Sequence, residues 1–484
     1  MKSIKKLRVK IIVFDIFANN KPLSMTLIKT ISGIRGTIGG NPGDNLTPVD
    51  IVKFAMAYAS LVKSNKVNKH PKVVIGRDAR LSGPMIQSIF QNTLLCSGID
   101  VIDLGLSTTP TVEFATVNEG ADGGVVITAS HNPSEWNALK LLDKNGEFLN
   151  AIAGEELLKL SESTDLSFAN IEQLGRLNSI TDYIDRHIEK IVELPLIDID
   201  RIKSKNLHVV IDAVNSTGGI AIPKLLDRLG VSYKAMYCEP TGIFPHNPEP
   251  LEKHLGDLMN TVCEEQADFG ITVDPDVDRL ALVDENGKMF GEEYTLVACA
   301  DYVLSKTPGN TVSNLSSTRA LSEVTLGYNQ KYYAAAVGEV NVVQKMKSTN
   351  AIIGGEGNGG IIYPENHYGR DALVGIALFL MLLTEKQETV SAIRASYPTY
   401  FMAKEKIELS PSINPDQILK ILKQKYTQER CTTIDGLKID FKDSWVHMRK
   451  SNTEPIIRIY TEAKTEAIAR RLAEQFIKEI KTAC

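Results

Sequence analysis

Val125-Val126-Ile127-Thr128-Ala129-Ser130-His131-Asn132-Pro133 is the stretch from which the rest of the chain can be read. The β-branched run Val125-Val126-Ile127 follows a turn-rich Gly120-Ala121-Asp122-Gly123-Gly124 and has the pattern of a buried strand. Ser130 then stands at the end of a rigid element, where open α/β sheets usually hold their ligands. His131 and Asn132 make the turn polar, and Pro133 keeps a helix from absorbing the serine. Two readings remain open for this stretch alone: a surface Ser-His pair at a strand-to-loop junction, or a nucleophilic serine offered to a substrate.

The surrounding chain has 484 residues, too many for one core by the usual size of domains. Its 43% hydrophobic and 23% charged content is ordinary for a soluble globular protein. A net charge of −5 gives no sign of a nucleic-acid partner or an anionic membrane. The six cysteines are scattered with no Cys-x-x-Cys pair, which argues against a zinc or disulfide framework and fits the cytoplasm. Basic residues at Lys2, Lys5, Lys6, Arg8 and Lys10 precede Ile11-Ile12-Val13-Phe14, but that run is too short to span a membrane and Asp15 interrupts it.

From Thr26 onward short apolar runs alternate with helical patterns, which favours α/β units. Ser32-Gly33-Ile34-Arg35-Gly36 is a glycine-rich turn with an arginine, suited to an anion but equally readable as a plain tight turn. Gly76-Arg77-Asp78-Ala79-Arg80 follows a predicted strand, with Arg77 and Asp78 placed to orient each other or the serine turn. The acidic stretch beyond Asn150 reads as a domain edge, and a helix over 180–192 crosses to the next unit. Asn215-Ser216-Thr217-Gly218-Gly219 opens a helix without dinucleotide-binding spacing. His246, in a Pro-rich connection with no metal-spaced partner, reads as structural.

A second chemically loaded turn is Asp274-Pro275-Asp276-Val277-Asp278-Arg279, after the strand-like Phe269-Gly270-Ile271-Thr272-Val273. Three carboxylates at alternate positions of one extended loop repel unless something neutralises them. A solvated acidic turn is the plainer reading. The flanking strand pattern and Arg279 favour a hard divalent cation, and Mg2+ suits so few carboxylates because it keeps other oxygens for phosphate or water. Glu356 and Asn358 in Gly354-Gly355-Glu356-Gly357-Asn358-Gly359-Gly360 can bond adjacent sugar hydroxyls, although a flexible glycine turn explains the composition as well. Arg449-Lys450-Ser451-Asn452-Thr453-Glu454-Pro455, with Arg458, has the makings of a phosphate cradle or of a charged hairpin turn. The closing helix, 465–481, carries an apolar stripe of Ile468, Leu472, Phe476 and Ile480.

Thr128-Ala129-Ser130-His131-Asn132-Pro133 followed by Asn137-Ala138-Leu139-Lys140 resembles the phosphoserine loop of the α-D-phosphohexomutases, and the other three loops follow in that family's order. The resemblance implies an α/β, four-domain architecture: three similar mixed-sheet α/β domains and a C-terminal α+β domain around a central cleft. The expected domains are 25–178 (phosphoserine), 179–291 (metal loop), 292–399 (sugar binding) and 400–484 (phosphate binding). Met25 sits just before the resemblance begins, so 1–24 is expected to be a disordered extension. The resemblance further implies Mg2+ bound by Ser130 or its phosphate with Asp274, Asp276 and Asp278. Arg35 becomes a phosphate contact, and Lys140 and Arg279 stabilise the transferring group. Lys140 is also a candidate for proton transfer, as is His131.

By the same resemblance, Glu356 with Asn358 and Gly359 holds the sugar hydroxyls, and Arg449, Ser451, Asn452, Thr453 and Arg458 hold the phosphate that is not reacting. Two departures from the family pattern stand out. Many bacterial members have Ser-Gly-His where this chain has Asn358-Gly359-Gly360, and some have a histidine at the position of Glu339. A glutamate can take that proton-transfer role only if its surroundings raise its pKa. The expected reaction is interconversion of a hexose 6-phosphate and 1-phosphate, with the 1,6-bisphosphate as activator. Glucosamine phosphate is favoured through the Asn-Gly-Gly loop and Val337-Gly338-Glu339-Val340-Asn341; phosphomannomutase/phosphoglucomutase activity and a non-catalytic sugar-phosphate binder are the alternatives. No nucleic-acid or membrane partner is expected.

Overall fold

The computed structural model describes residues 25–30, 33–68, 70–163, 167–410, 414–450 and 456–483, which form four sheets in succession. The proposed extension 1–24 lies outside the described residues, as do Ser32 and 451–455. The Val-Val-Ile run is the heart of the first sheet: Gly123–Ile127 is buried at all five positions. It runs parallel to Lys72–Arg77 and antiparallel to Trp136–Leu142. Glycine is needed at its start, because a Cβ on Gly123 would stand 2.2 Å from the hydroxyl of Tyr58. That hydroxyl donates to the carbonyls of Gly124 and Leu142, tying helix Pro48–Ser64 to the sheet. The helix begins with Pro48 at its first turn, and Asp50 accepts from the Thr47 amide at 3.1 Å.

The second sheet has the order Leu280–Asp284, Phe269–Val273, His208–Asp212, Ser232–Met236. The third has the order Tyr332–Ala335, Asn310–Asn314, Ala351–Glu356, Gly360–Ile362. All three sheets share one device. A buried strand with a parallel neighbour turns directly into an antiparallel strand, and the loop between them carries the candidate site residues. Ser130 lies between Gly123–Ile127 and Trp136–Leu142, the aspartates between Phe269–Val273 and Leu280–Asp284, and Asn358 between Ala351–Glu356 and Gly360–Ile362. The glycine-rich loop is therefore a tight hairpin, and Glu356 is the last residue of its strand.

The second and third sheets share one core that runs from Ile184 to Tyr397. Helix Ala372–Lys386 lies within it, with every residue from Ala372 to Thr384 buried. Each large aliphatic side chain so placed contributes about 1.5–3 kcal/mol of burial, so this helix fixes the two sheets against each other. The fourth sheet is antiparallel, ordered Phe401–Glu408, Ile456–Ala463, Ser444–Lys450, Leu437–Asp440, Arg430–Thr432. It docks on the third unit through Lys438 Nζ, which donates to the Leu315 carbonyl at 2.9 Å, and through the Arg319 amide, which donates to Glu462 Oε1 at 3.1 Å.

Three expectations change. The stretch after Asn150 is not an edge: Ala151–Ser161 is a helix, capped by Asn150, that buries Leu157 in the first unit's core. The crossing helix starts at Tyr183 rather than 180. In the last helix, Glu466–Ala483, Ile468 is 48% exposed. The buried face there is Ala469, Ala473, Phe476 and Ile480, because small alanines allow the helix to lie close on its sheet. No helix among the described residues is long and apolar enough to cross a membrane.

Candidate active site

Ser130 has φ 50°, a left-handed backbone that costs a non-glycine residue about 1–2 kcal/mol. Arg80, 1% exposed, holds it there. Its Nη2 donates to the carbonyls of Ser130 and Asn132 at 2.5 and 2.6 Å, and its Nη1 to those of Pro133 and Trp136 at 2.6 and 3.0 Å. Asp78 fixes Arg80 through Nε at 3.0 Å and accepts from Thr128 Oγ1 at 2.7 Å. Thr128 Oγ1 in turn accepts from the Ser130 amide. The orienting pair is thus Asp78 with Arg80; Arg77 reaches only the Asp78 carbonyl, at 3.2 Å.

Ser130 Oγ donates to Asp274 Oδ2 at 2.5 Å and lies 3.3 Å from His131 Nδ1. Asp274, Asp276 and Asp278 are wholly buried, and one oxygen from each lies within 4.8 Å of the others. Ser216 and Thr217, at the start of helix Gly218–Leu229, hold the loop by donating to the Pro275 carbonyl at 2.7 and 2.8 Å. Val277 sits at φ 64°, a costly conformation for a β-branched residue, with its side chain buried and its carbonyl bonded by the Ala372 amide.

Lys140 Nζ stands 2.6 Å from Asp276 Oδ2 and 3.0 Å from Asp278 Oδ2. Burial opposes its charge, but the two aspartates overcome this and hold its pKa above the usual lysine range, so Lys140 is an ammonium here. Burial and the neighbouring Asp278 and Asp276 drive Asp274 well up. Burial also pushes on Asp278, but Arg370, Lys140 and Arg279 outweigh it and keep that carboxyl below its usual range. Asp276 Oδ1 and Asp278 Oδ1 are buried without a hydrogen-bond partner. Orphaned hard oxygens beside three converging carboxylates fit an octahedral, oxygen-binding cation.

His131 is pushed down to about 2 by burial, with Arg279 adding to the effect, so its imidazole is neutral. Arg35, in strand Gly33–Thr37, has its pKa lowered by burial and then by the charges of Arg279 and Arg458. Three guanidinium groups from the first, second and fourth units therefore lie within electrostatic reach of one another. Arg458 pairs across the sheet with Arg449, whose Nε is 3.4 Å from Asp435 Oδ2. Ser451, Asn452 and Thr453 lie outside the described residues.

Glu356 is 5% exposed and accepts from Asn314 Nδ2 at 2.8 Å, the Gly338 amide at 3.0 Å and Arg370 Nη1 at 3.1 Å. Asn358 Oδ1 accepts from the Gly360 amide, and the Gly359 carbonyl accepts from the Leu280 amide at 2.9 Å. Glu339 opens helix Glu339–Thr349 and meets Arg370 Nε at 2.9 Å. Burial raises its pKa against the pull of Arg370, with Asp278 adding to the rise. Sequence reasoning missed Arg370, Arg80 and Thr109, whose hydroxyl donates to Asp276 Oδ2 at 2.5 Å. Arg80 sits in the stretch already read but was passed over for Arg77, while Arg370 and Thr109 carry no local signal because they act on residues far away along the chain. His246 pairs with Asp212 at 2.9 Å and has a structural role, as expected.

Four domain models described as phosphoglucomutase/phosphomannomutase match in order: α/β/α domain I over 27–166, domain II over 185–287, domain III over 291–400 and the C-terminal domain over 402–479. A phosphoglucomutase/phosphomannomutase of Thermococcus kodakarensis is 36% identical over 454 residues, covering 93% of this chain and 98% of the relative. A phosphoglucosamine/phosphogalactosamine mutase of Sulfurisphaera tokodaii is 33% identical over 457 residues, covering 92% and 97%. The crystal structure of a phosphoglucomutase/phosphomannomutase family protein from Burkholderia thailandensis superposes with a TM-score of 0.81 at 25% identity, covering 95% of this chain and 97% of that one.

Proposed function

The chain belongs to the phosphoglucomutase/phosphomannomutase family, and from that premise we propose that it interconverts glucosamine 6-phosphate and glucosamine 1-phosphate through a phosphoserine at Ser130. The observation that carries this reading is the 2.5 Å contact of Ser130 Oγ with Asp274, set among three buried aspartates. Asp274, Asp276 and Asp278, with an oxygen on Ser130, would hold Mg2+. When bound, the ion supplies positive charge to the phosphoryl group during transfer.

The protein's own groups do the rest. Arg80 and Asp78 present Ser130 in one orientation. Lys140 and Arg279 stabilise charge on the group in transfer, since such chemistry is mostly positioning and electrostatics. The phosphoryl group leaves Ser130 Oγ for a free sugar hydroxyl, whose proton goes to Glu339, a buried carboxyl with a raised pKa, while the Lys140 ammonium supplies the proton that the departing serine oxygen takes up. The bisphosphate so formed turns end for end and returns its other phosphoryl group to Ser130 Oγ. Arg449 and Arg458 grip the phosphate that is not reacting, with Ser451, Asn452 and Thr453 in the same clamp, and Arg35 contacts the phosphate near Ser130. A phosphohydrolase would have no use for this second grip. Glu356, Asn358 and Gly359 face the sugar, and the cell's cytoplasm is the compartment that suits the unpaired described cysteines.

A relative that is 36% identical carries the name phosphoglucomutase/phosphomannomutase, which keeps glucose and mannose phosphates as the second reading. Purified protein with Mg2+ and a trace of bisphosphate, assayed on glucosamine, glucose and mannose 6-phosphates, separates the two. Highest kcat/KM on glucosamine 6-phosphate is expected, with Ser130→Ala inactive and free of acid-stable phosphate. Phosphate retained by that variant, or no isomerisation of any of the three, would overturn the reading.

A further inference from the structure

Among the described residues, most of the buried polar side-chain atoms without partners gather at two places. One is the aspartate loop; the other lies between helix Thr109–Asn118, the crossing helix Tyr183–Val192 and the loop before helix Ala372–Lys386. There His187, His367 and Asp371 each offer an atom within 4.8 Å of the others. His187 Nε2 is 3.2 Å from Asp371 Oδ2, and His367 Nε2 is 3.4 Å from the same oxygen. His187 and Asp371 are wholly buried.

Each imidazole has an oxygen behind its Nδ1, hydrogen-bonded for His187 and only in ion-pair range for His367. His187 Nδ1 lies 3.1 Å from Thr111 Oγ1, and His367 Nδ1 lies 3.4 Å from Glu113 Oε2. An oxygen behind Nδ1 suits the tautomer that turns the Nε2 lone pair forward, the usual arrangement behind a metal-bound histidine, and Thr111 Oγ1 and the Glu113 carboxylate stand where such acceptors would. Two such lone pairs then converge on one carboxylate oxygen. Asp371 has no other way to turn, since its Oδ1 accepts from the Leu373 and Val374 amides and caps the helix. A proton shared by His187 and Asp371 would relieve one contact only. It would leave without partners Glu113, 1% exposed and bonded through neither oxygen, and Asn366 Oδ1, in a residue 9% exposed.

We propose that His187, His367 and Asp371 bind a first-row divalent transition metal of the Zn2+ class, with Asn366 as fourth ligand. The Asn366 amide already touches both neighbours through Nδ2, at 2.7 Å from Asp371 Oδ2 and 3.2 Å from His187 Nε2. Turning it over puts the unpartnered Oδ1 in that position and completes an N2O2 set. Imidazole donors select such ions over Mg2+, so this site and the aspartate loop do not compete for one cation. Its place in the fold is structural: it fastens the first unit's helix and the crossing helix to the third unit.

The test uses the full-length protein, stripped with chelator, saturated with Mg2+ and titrated with Co2+. One equivalent per chain with visible d–d absorption is expected, displaced by Zn2+, kept in Asp276→Asn and lost in His187→Ala and His367→Gln. X-ray absorption at the zinc edge of the wild-type protein carrying one equivalent should show two imidazole ligands, a result that does not depend on any variant folding. Absence of Co2+ uptake by the wild type, an all-oxygen shell at the zinc edge, or a spectrum lost with Asp276→Asn but kept in folded histidine variants would overturn the proposal.

Discussion

Arg370 Nη2 stands 2.7 Å from Oδ2 of Asp278, and the same guanidinium meets Glu339 and Glu356 through its other two nitrogens. One cation thereby joins the aspartate loop to Glu339 and Glu356 of the third unit. Arg370→Ala would leave three buried carboxylates facing one another, and breaking such a network costs about 3–5 kcal/mol. A clear fall in thermal midpoint is expected, with kcat/KM reduced about 10²-fold or more through the lost geometry of Asp278 and Glu356. Arg370→Lys restores charge but not the three-way fork, so it should recover stability better than activity. Unchanged kcat/KM in the alanine variant would remove Arg370 from the positioning machinery.

Lys140 occupies, with its ammonium, the position between Asp276 and Asp278 that a metal ion also needs. Lys140→Met deletes that charge while leaving all three aspartates in place. Calorimetric titration should then show Mg2+ bound roughly tenfold more tightly, because a competing cation has gone. Turnover should fall about 10²-fold, because the transferring phosphoryl group loses a positive partner. Weaker Mg2+ binding in the variant would mean instead that Lys140 arranges the ligands.

These residues also mark the limit of what the chain reveals before it folds. Ser130 and the aspartates were legible because each site is contiguous: a buried strand, a polar turn and the reactive groups follow one another. The α/β class was legible from the alternation of strand and helix, whereas the four-unit plan came only with the resemblance to the phosphohexomutases. Arg370 was not, since its partners lie 14, 31 and 92 residues away and only the docking of the second and third sheets brings them together. His187, His367 and Asp371 were passed over for the same reason, as His187 is separated from the other two by most of two units. The stripe assigned to the last helix holds at Phe476 and Ile480 but misses Ala469 and Ala473, because alanine gives little hydrophobic signal.

Gly359 locks the hairpin after Glu356 onto the strand that leaves the aspartate loop. Its φ is +85°, its carbonyl accepts from the Leu280 amide, and a Cβ there would stand 2.2 Å from the Leu280 carbonyl oxygen. Gly359→Ala therefore meets a left-handed backbone and a rigid neighbour at once. A loss of about 2–3 kcal/mol is expected in urea unfolding, with KM for the sugar phosphate rising as Asn358 shifts. Wild-type stability would mean that the hairpin can move away from Leu280 freely, and that the contact does not set the loop.

His447 gives the joint between the third and fourth units its pH dependence. The ring is 1% exposed, with Nδ1 2.8 Å from Ser316 Oγ and Nε2 2.6 Å from the Asp435 carbonyl. That geometry describes a neutral imidazole donating through Nε2 and accepting from the serine hydroxyl. Burial pushes its pKa from 6.5 down to about 4, against the pull of the Asp435 carbonyl. Above pH 6.5 the ring is neutral in both folded and unfolded chains, and its full contribution is present. As the pH falls towards 4 the unfolded chain takes up a proton that the folded one refuses, so stability is lost, by at most about 3 kcal/mol. His447→Gln keeps a donor and an acceptor but cannot titrate. It should be less stable than wild type at neutral pH, with the gap closing as urea unfolding is repeated at successively lower pH. A gap that stays constant through that window would show that His447 does not carry the acid sensitivity of this joint.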